Sequence, residues 1–255
     1  MNTFLNIKYL TNIGLSRKIN EDSLLIGERP INLESFDIER SIDISLTTKT
    51  FFVVADGMGG HGKGEIASGI AIQTFLDEDI DIIDETDVNK VIYRAKKNLD
   101  NYVLKHPEAL NLGTVIAGIY IKDGSAIVFN CGDSRVYKYD GMFCEQLSYD
   151  HSQLQQLKDN GIDQLKNINR NVVTSALIGN PSEPDLEIYT KTIALKNNDK
   201  YLICSDGLWE CMSIEEIENC LSNNELSIQC LYNKVMKAGA NDNFSVIVLK
   251  VRIDE

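Results

Sequence analysis

Acidic residues stand at the ends of apolar segments, or beside glycines, at several separate points along this chain. They are Glu21 and Asp22 in Asn-Glu-Asp, Asp56 in Ala-Asp-Gly, Asp206 in Ser-Asp-Gly and Asp242 in Asn-Asp-Asn. Carboxylates that folding brings together repel one another, so such a cluster either takes up protons or binds hard cations. Oxygen-only ligation favours magnesium or manganese over zinc. These residues therefore predict a site for hard divalent cations.

A glycine-rich segment follows Asp56. Five of the eight residues from Gly57 to Gly64 are glycines. Because glycine has no Cβ, such a segment lets backbone carbonyls and amides come close to a bound ligand. An Asp-Gly pair is by itself a turn signal. The run of glycines ahead of a helix-like segment is what makes Asp56 a candidate site residue.

Short runs rich in β-branched and aromatic residues predict strands. The runs are 51–55, 114–121, 125–130, 136–139, 201–204 and 244–251. Asp123-Gly124 and Asp140-Gly141 each predict a two-residue hairpin, which favours antiparallel pairing. The helix-like segments are 63–76, 87–105, one that begins with the capping box 213–216, and 225–238 ending at Gly239. Strands between two early and two late helices predict an α+β fold, with sheets sandwiched by helices.

The length and composition predict one large domain over residues 1–255. The chain has 255 residues, 43% of them hydrophobic, which is enough for a substantial core. The polar stretch 153–170 interrupts the strand pattern and predicts an irregular, flap-like excursion near the site. The formal net charge of -13 argues against a nucleic-acid partner, because phosphate backbones attract basic surfaces.

Cysteine usage and the N-terminal sequence predict a soluble cytoplasmic protein. The six cysteines contain no Cys-x-x-Cys pair and are expected to be buried, reduced thiols. Met1 is followed by no basic segment and no long apolar run, so no signal peptide is predicted. No apolar run approaches the ~18 residues that span a bilayer, and no membrane association is expected.

Eight short motifs occur in order along the chain. They are Arg17–Asp22, Ala55–Ser68, Gly113–Thr114, Asn130–Arg135, Asp150–Ser152, Asn171–Gly179, Ser205–Gly207 and Asn241–Asn243. In type and order they resemble the motifs of the metal-dependent protein phosphatases of the 2C type, particularly the compact bacterial serine/threonine phosphatases. Each motif alone has low specificity. Their common order across essentially the whole chain is highly specific.

The resemblance implies a four-layer α-β-β-α sandwich, in which an antiparallel β-sandwich is flanked by helix pairs, with a two-metal centre at one end. It implies that Asp56 bridges two ions, that Asp206 and Asp242 complete one, and that Glu21 and the Gly57 carbonyl hold the other. Asp22 matches a position that acts through a coordinated water. Asp133 matches a ligand of the third metal seen in bacterial relatives, with Asp206 shared, although Asp133–Arg135 could also simply close a turn.

The implied function is hydrolysis of phosphoserine and phosphothreonine in proteins by metal-activated water, with Mn²⁺ or Mg²⁺ as cofactor. Arg17 would clamp the phosphate, because its planar fork matches phosphate oxygens. The implied partners are phosphoproteins, among them a serine/threonine kinase or its targets, and a monomer is expected. A covalent cysteine mechanism is disfavoured, because none of the cysteines lies in a phosphate-cradling loop.

Two alternatives remain open at this point. One is an inactive phosphoprotein- or metal-sensing module on the same fold, for which loss of Asp56, Asp206 or Asp242 would be the signature; none is lost. The other is a structural cation site, for example for calcium, in a protein that is not an enzyme. The absence of an EF-hand pattern and the presence of Arg17 count against it.

The chain departs from the family pattern at several positions. Met58 stands where animal relatives have a histidine proposed to protonate the leaving alkoxide, and methionine has no proton to donate. His61 is close in sequence but is expected to be solvated rather than catalytic, as Asp150 and His151 are expected to be structural. Val115 replaces a usual threonine, and 174–179 lacks the usual arginine. These changes concern the substrate groove rather than the metal ligands.

Overall fold

The computed structural model describes residues 2–45, 50–59, 63–162, 172–183, 185–223 and 227–254. Its strands are β1 (Asn2–Asn12), β2 (Ser23–Ile26), β3 (Arg29–Asn32), β4 (Arg40–Ser45), β5 (Thr50–Met58), β6 (Gly113–Lys122), β7 (Ser125–Cys131), β8 (Arg135–Tyr139), β9 (Cys144–Gln146), β10 (Leu177–Ile178), β11 (Tyr189–Ala194), β12 (Lys200–Cys204) and β13 (Phe244–Asp254). Its helices are α1 (Gly64–Leu76), α2 (Glu85–Lys105), α3 (Gln153–Asp159), α4 (Asp206–Trp209), α5 (Ile214–Ser222) and α6 (Ser227–Ala238), with a 3-10 turn at Pro107–Ala109.

The strands form two antiparallel sheets. In the first, the order is β4-β1-β13-β12-β8-β9, and β1 pairs with β13 along its whole length from Asn2 to Asn12. In the second, the order is β11-β7-β6-β5-β2-β3, with β10 paired to β6. β7 and β8 are consecutive along the chain but belong to different sheets, so the turn between them crosses from one sheet to the other.

Side chains that alternate along each strand divide the interior into three cores. On β5, Phe52 and Val54 pack between the sheets, whereas Phe51 and Val53 pack under α1 and α2. A third core lies between the first sheet and helices α4, α5 and α6, where Leu231 is fully buried. Cores on both sides of each sheet agree with the α-β-β-α sandwich expected from the sequence.

The predicted strands and helices are all present among the described residues, with boundaries shifted by a few positions. The capping box is formed, since the Ser213 hydroxyl accepts from the Glu216 amide while the Glu216 carboxylate accepts from the Ser213 amide. Asp123 and Gly124 adopt positive φ values of 50° and 77° between β6 and β7, as a two-residue hairpin requires. Residues 225 and 226 of the predicted last helix lie outside the described part of the chain.

Two local predictions were wrong. The connection from β8 to β9 has four residues rather than two, because the Asp140 carboxylate accepts from the Met142 and Phe143 amides and widens the turn. The excursion predicted over 153–170 begins instead with a regular helix, α3, whose first turn is capped by the Ser152 hydroxyl. Residues 163–170 of that excursion lie outside the described residues.

The prediction of six reduced cysteines was also wrong. Cys220 on α5 and Cys230 on α6 form a disulfide. The two helices pack on the same core, which brings the two Cα atoms to 5.5 Å. Sequence spacing could not reveal this pairing, because it depends on how the helices dock. Cys131, Cys144 and Cys204 are free and buried, and Cys211 is free and half-buried.

None of the helices in the described part of the chain combines the length and apolar composition needed to cross a bilayer.

We predict that reducing this disulfide lowers the free energy of unfolding by about 2.5 kcal/mol, because the bond restricts the unfolded chain. Denaturant unfolding of wild type with and without reductant measures the change. A Cys220→Ala/Cys230→Ala variant is the control, and its free energy of unfolding should be the same with and without reductant. Equal unfolding free energies for oxidised and reduced wild type would contradict the prediction.

Candidate metal centre

Three strands of the two sheets bring acidic residues to the same end of the sandwich. Asp56 lies near the C-terminal end of β5, where its neighbour Gly57 pairs with Thr114 on β6. Asp206 follows β12, and Asp242 precedes β13. Because β12 and β13 are antiparallel, with Cys204 opposite Val246, the end of one strand lies beside the start of the other.

These residues line a cavity of about 230 Å³. It is lined by Arg17, Glu21, Asp56, Gly57, Met58, Gly59, Val115, Asp133, Val173, Asp206, Asp242 and Asn243. No cysteine or histidine of the described residues belongs to this lining. The donor set is dominated by carboxylate oxygen, which suits Mg²⁺ or Mn²⁺. The residues present thus fit hard divalent cations.

A close approach of backbones holds the Glu21 side of the cavity. The Gly57 amide donates to the Glu21 carbonyl at 3.2 Å, and the Gly64 amide donates to Glu21 Oε1 at 3.1 Å. A Cβ on Gly57 would lie 2.2 Å from the Gly64 carbonyl oxygen, so a side chain at this position would force the backbones apart. The Ser68 hydroxyl also donates to the Glu21 carbonyl, at 2.6 Å. Gly57 thus allows this close approach of the two backbones.

Asp22 lies behind the cavity rather than in its wall. Its side chain is buried, with 1% exposed, and Oδ2 accepts from the Ser205 hydroxyl at 2.8 Å. Oδ1 is buried without a hydrogen-bond partner among the described residues. Burial raises the pKa of Asp22 to about 7, with the Asp206 and Asp242 carboxylates adding to the effect.

Burial and mutual repulsion raise the pKa values of the cavity carboxylates. Burial first, and then the charges of Asp22 and Asp206, raise the pKa of Asp56 well above its ordinary value. The pKa of Asp206 is raised to about 6 by burial and the Asp242 charge, although a hydrogen bond with Asp56 lowers it. Burial and the Asp206 charge raise the pKa of Asp133 to about 7. The cluster therefore favours protons or cations over free negative charge.

Arg17 partly neutralises the cluster at its mouth. Its Nη2 atom lies 2.5 Å from Asp242 Oδ2, and the two side chains are 47% and 35% exposed. With Asp242 turned to Arg17 and Asp206 hydrogen-bonded to Asp56, no three acidic, histidine or cysteine side chains of the described residues converge on one ion position. Ligation of one ion by several of these carboxylates would therefore involve rotation of their side chains.

Asn243 is a site residue that the sequence did not single out. Its side-chain oxygen accepts from the Glu21 amide at 2.9 Å, and its side-chain nitrogen donates to the Ile13 and Ile19 carbonyls at 2.9 and 3.1 Å. It thereby ties the segment that carries Arg17 and Glu21 to the start of β13. These partners are more than 200 residues apart in the chain, so no local pattern could have indicated the contact.

The two histidine predictions have different outcomes. His151 is buried, and its Nδ1 accepts from the Gly132 amide at 3.1 Å, so it supports the β7–β8 turn as expected of a structural residue. Burial lowers its pKa. His61 lies outside the described residues. Seven other candidates from the sequence line one cavity, namely Arg17, Glu21, Asp56, Gly57, Asp133, Asp206 and Asp242.

A larger cavity of about 640 Å³ lies near the start of β5, at the opposite end of that strand from Asp56. Its walls are mainly aliphatic and aromatic side chains, among them Ile44, Phe51 and Phe75. Size alone would favour it as a ligand site. The smaller cavity is the candidate functional site because the perturbed carboxylates and the arginine meet there.

The raised carboxyl pKa values predict how the chelator-treated protein responds to pH. A carboxyl whose folded pKa is raised stabilises the fold when protonated, and this stability is lost as pH rises through about 7, the pKa of Asp133. Asp133→Asn should therefore raise the unfolding free energy at about pH 8 by on the order of 2 kcal/mol. Asp150→Asn is the contrasting variant: it should lower stability, because it removes the carboxylate paired with Arg135. Equal stability of Asp133→Asn and wild type at that pH would contradict the electrostatic interpretation.

Known proteins are similar to this chain in sequence. The sequence pattern of the family described as protein phosphatase 2C matches residues 31–156. The serine/threonine phosphatase Stp of Listeria monocytogenes is 28% identical over 216 residues, covering 78% of this chain and 83% of that protein. Protein phosphatase PhpP of Streptococcus pneumoniae is 27% identical, covering 98% of this chain and 99% of that protein.

A solved structure extends the similarity to three dimensions. The crystal structure of the catalytic domain of the serine/threonine protein phosphatase PstP, in complex with 2 manganese ions, matches with a TM-score of 0.79 and 26% identity. The match covers 98% of this chain and 100% of that one. The motifs, the two antiparallel sheets, the carboxylate cavity and these similarities lead to one conclusion. The chain belongs to the protein phosphatase 2C family.

Proposed function

We propose that this protein is a Mn²⁺- or Mg²⁺-dependent phosphatase that hydrolyses phosphoserine and phosphothreonine in proteins. The observation that carries the proposal is the convergence of five carboxylates and Arg17 on one cavity at the end of the sandwich. The similarity to serine/threonine phosphatases, one of them crystallised with manganese, supports it. An inactive sensing module is not favoured, because every proposed ligand carboxylate is retained.

Each carboxylate has a proposed role as a ligand. Asp56, Asp206 and Asp242 would hold one ion, and Asp56, Glu21 and the Gly57 carbonyl would hold a second. Asp133 and Asp206 would hold a third ion. Asp22, which lies behind the cavity wall, acts indirectly by accepting a hydrogen bond from Ser205 or through a water. When bound, two such ions lower the pKa of a shared water and neutralise charge on the phosphoryl oxygens.

Arg17 is proposed to bind the substrate phosphate. Its guanidinium is about half exposed at the cavity mouth, which leaves it accessible to a phosphoprotein. Engagement of Asp242 with a cation would release Arg17 from its ion pair. The planar fork could then donate two hydrogen bonds to phosphate oxygens and orient the phosphoryl group for in-line attack.

Among the described residues, neither Met58 nor His151 is suited to protonate the leaving oxygen. Met58 lines the cavity, and a thioether has no proton to donate. His151 is buried and already accepts a hydrogen bond from Gly132. We therefore propose that water in the cavity protonates the serine or threonine oxygen.

Several further features complete the proposal. The substrates are phosphoproteins, among them a serine/threonine kinase or its targets. The single domain over 1–255, the monomeric state and the cytoplasmic location remain predictions. The Cys220–Cys230 disulfide counts against the cytoplasmic location, because disulfides are rare in a reducing cytoplasm.

Hydrolysis of a phosphothreonine peptide tests the proposed reaction. Wild type should hydrolyse the peptide with Mn²⁺ or Mg²⁺, and hydrolysis should stop when chelator is added. The kcat of Asp56→Asn should be lower on the order of 10³-fold or more. Asp79→Asn changes an exposed aspartate outside the cavity and should keep wild-type activity. Folded wild type that shows no turnover with either metal would overturn the phosphatase proposal and favour a binding module.

Substitution of Arg17 tests phosphate binding separately from chemistry. Arg17→Lys keeps the charge but loses the planar fork, so KM should rise on the order of 10-fold with a smaller fall in kcat. Lys18→Ala removes a neighbouring exposed cation and serves as the matched control. Steady-state kinetics of both variants give the answer. An unchanged KM in Arg17→Lys would remove Arg17 from the binding site.

A further inference from the structure

The turn that carries Asp133 lies just beyond the last backbone pair between β8 and β12. In that ladder Arg135 is opposite Cys204. Continuing the antiparallel register by two residues sets Asp133 opposite Asp206. Neither residue belongs to a strand, so the ladder itself does not fix the separation of these two carboxylates.

Trp209 supplies a hydrogen bond across this gap. It is the last residue of α4, the short helix that begins at Asp206. Its indole Nε1 donates to the Asp133 backbone carbonyl at 3.0 Å. The bond therefore joins the backbone of one acidic residue to the helical turn that carries the other.

The indole ring is itself held by a buried ion pair. The Arg135 guanidinium lies over the ring, with Cζ 3.4 Å from the ring centroid. Arg135 Nη2 lies 2.5 Å from Asp150 Oδ2, and its Nε donates to Asp150 Oδ1 at 3.0 Å. Gln146 donates to the same carboxylate at 2.8 Å. A planar, bidentate guanidinium in this position restricts the ring to one orientation.

We propose that Trp209 is a positioning residue that sets the separation of Asp133 and Asp206, and thereby the affinity for the cation that these two carboxylates share. Asp150 fixes Arg135, Arg135 fixes the indole ring, and the indole N–H fixes the Asp133 backbone. The inference rests on the proposed function in one respect, the sharing of a cation by Asp133 and Asp206.

Calorimetric titration of chelator-stripped protein with Mn²⁺ tests the link. Trp209→Phe keeps an aromatic ring under Arg135 but removes the N–H donor, and the ion that depends on Asp133 should bind about 10-fold more weakly. Tyr201→Phe is the matched control, since it also removes one buried hydrogen bond, from Tyr201 to Asp199, and keeps the ring. Its Mn²⁺ affinity should equal that of wild type.

Two further variants guard against a merely structural effect. In an Asp133→Asn background, Trp209→Phe should cause no additional loss of affinity, because the carboxylate that the link positions is already gone. Arg135→Lys should weaken the same ion in the same direction, since it loses the planar stack. Thermal unfolding of each stripped variant establishes that it is folded before titration.

The chain contains a single tryptophan, so its fluorescence gives a second readout at the link itself. Titration of wild type with diamagnetic Mg²⁺ should change the emission of Trp209, and Asp133→Asn should abolish that change. Equal Mn²⁺ affinity of Trp209→Phe and Tyr201→Phe, or an undiminished loss in the Asp133→Asn background, would overturn the proposal. If wild type hydrolyses the peptide but either of those results is obtained, the positioning role of Trp209 fails and the phosphatase function stands. If wild type shows ion-dependent emission and Trp209→Phe binds Mn²⁺ more weakly, but wild type does not hydrolyse the peptide, the positioning role of Trp209 stands and the phosphatase function fails.

Discussion

Repulsion among buried carboxylates is the interaction on which the rest of this structure depends. Asp22, Asp56, Asp133 and Asp206 all have raised pKa values, with burial as the largest cause and neighbouring aspartates adding to it. Such a cluster opposes folding unless protons, cations or Arg17 offset its charge. The three hydrophobic cores must therefore supply enough stability to hold like charges together. The same repulsion favours the binding of divalent cations at this site.

The fold meets this demand by placing the acidic residues at strand ends rather than in long loops. Strand ends are held by the sheet ladders, so the side chains are positioned by rigid elements. Tight backbone contacts add to this rigidity: a Cβ on Gly207 would lie 2.0 Å from the Asn243 carbonyl oxygen. Asn243 and the Trp209–Arg135–Asp150 cluster then connect the segments that the ladders leave free. The positions of the acidic side chains thus depend on the packing of the backbone around them.

Residue patterns predict the parts of this molecule that depend on local chemistry. The alternation in β5, the hairpin at Asp123-Gly124 and the capping box at Ser213 each follow from neighbouring residues, and each is present. The alternation of Leu5, Ile7 and Tyr9 also carries a strand signal, although β1 was not among the predicted strands. Short edge strands such as β4, which is mostly exposed, carry little hydrophobic signal of this kind.

Contacts between distant segments could not be predicted in this way. The disulfide depends on how α5 and α6 dock, and the Arg17–Asp242 pair joins residues from opposite ends of the chain. The ordered motifs and the family resemblance predicted seven of the residues that line the cavity, namely Arg17, Glu21, Asp56, Gly57, Asp133, Asp206 and Asp242. They did not predict that Asp22 lies behind its wall, or that Trp209 reaches Asp133. Those features arise from packing between sheets.

Anomalous diffraction from crystals grown with Mn²⁺ would test the central claim most directly. The account predicts two manganese ions about 4 Å apart in the carboxylate cavity, bridged by Asp56, with Asp242 turned from Arg17 toward an ion. Manganese bound elsewhere on the protein, with Asp242 still paired to Arg17 and no ion in contact with Asp56, would contradict it.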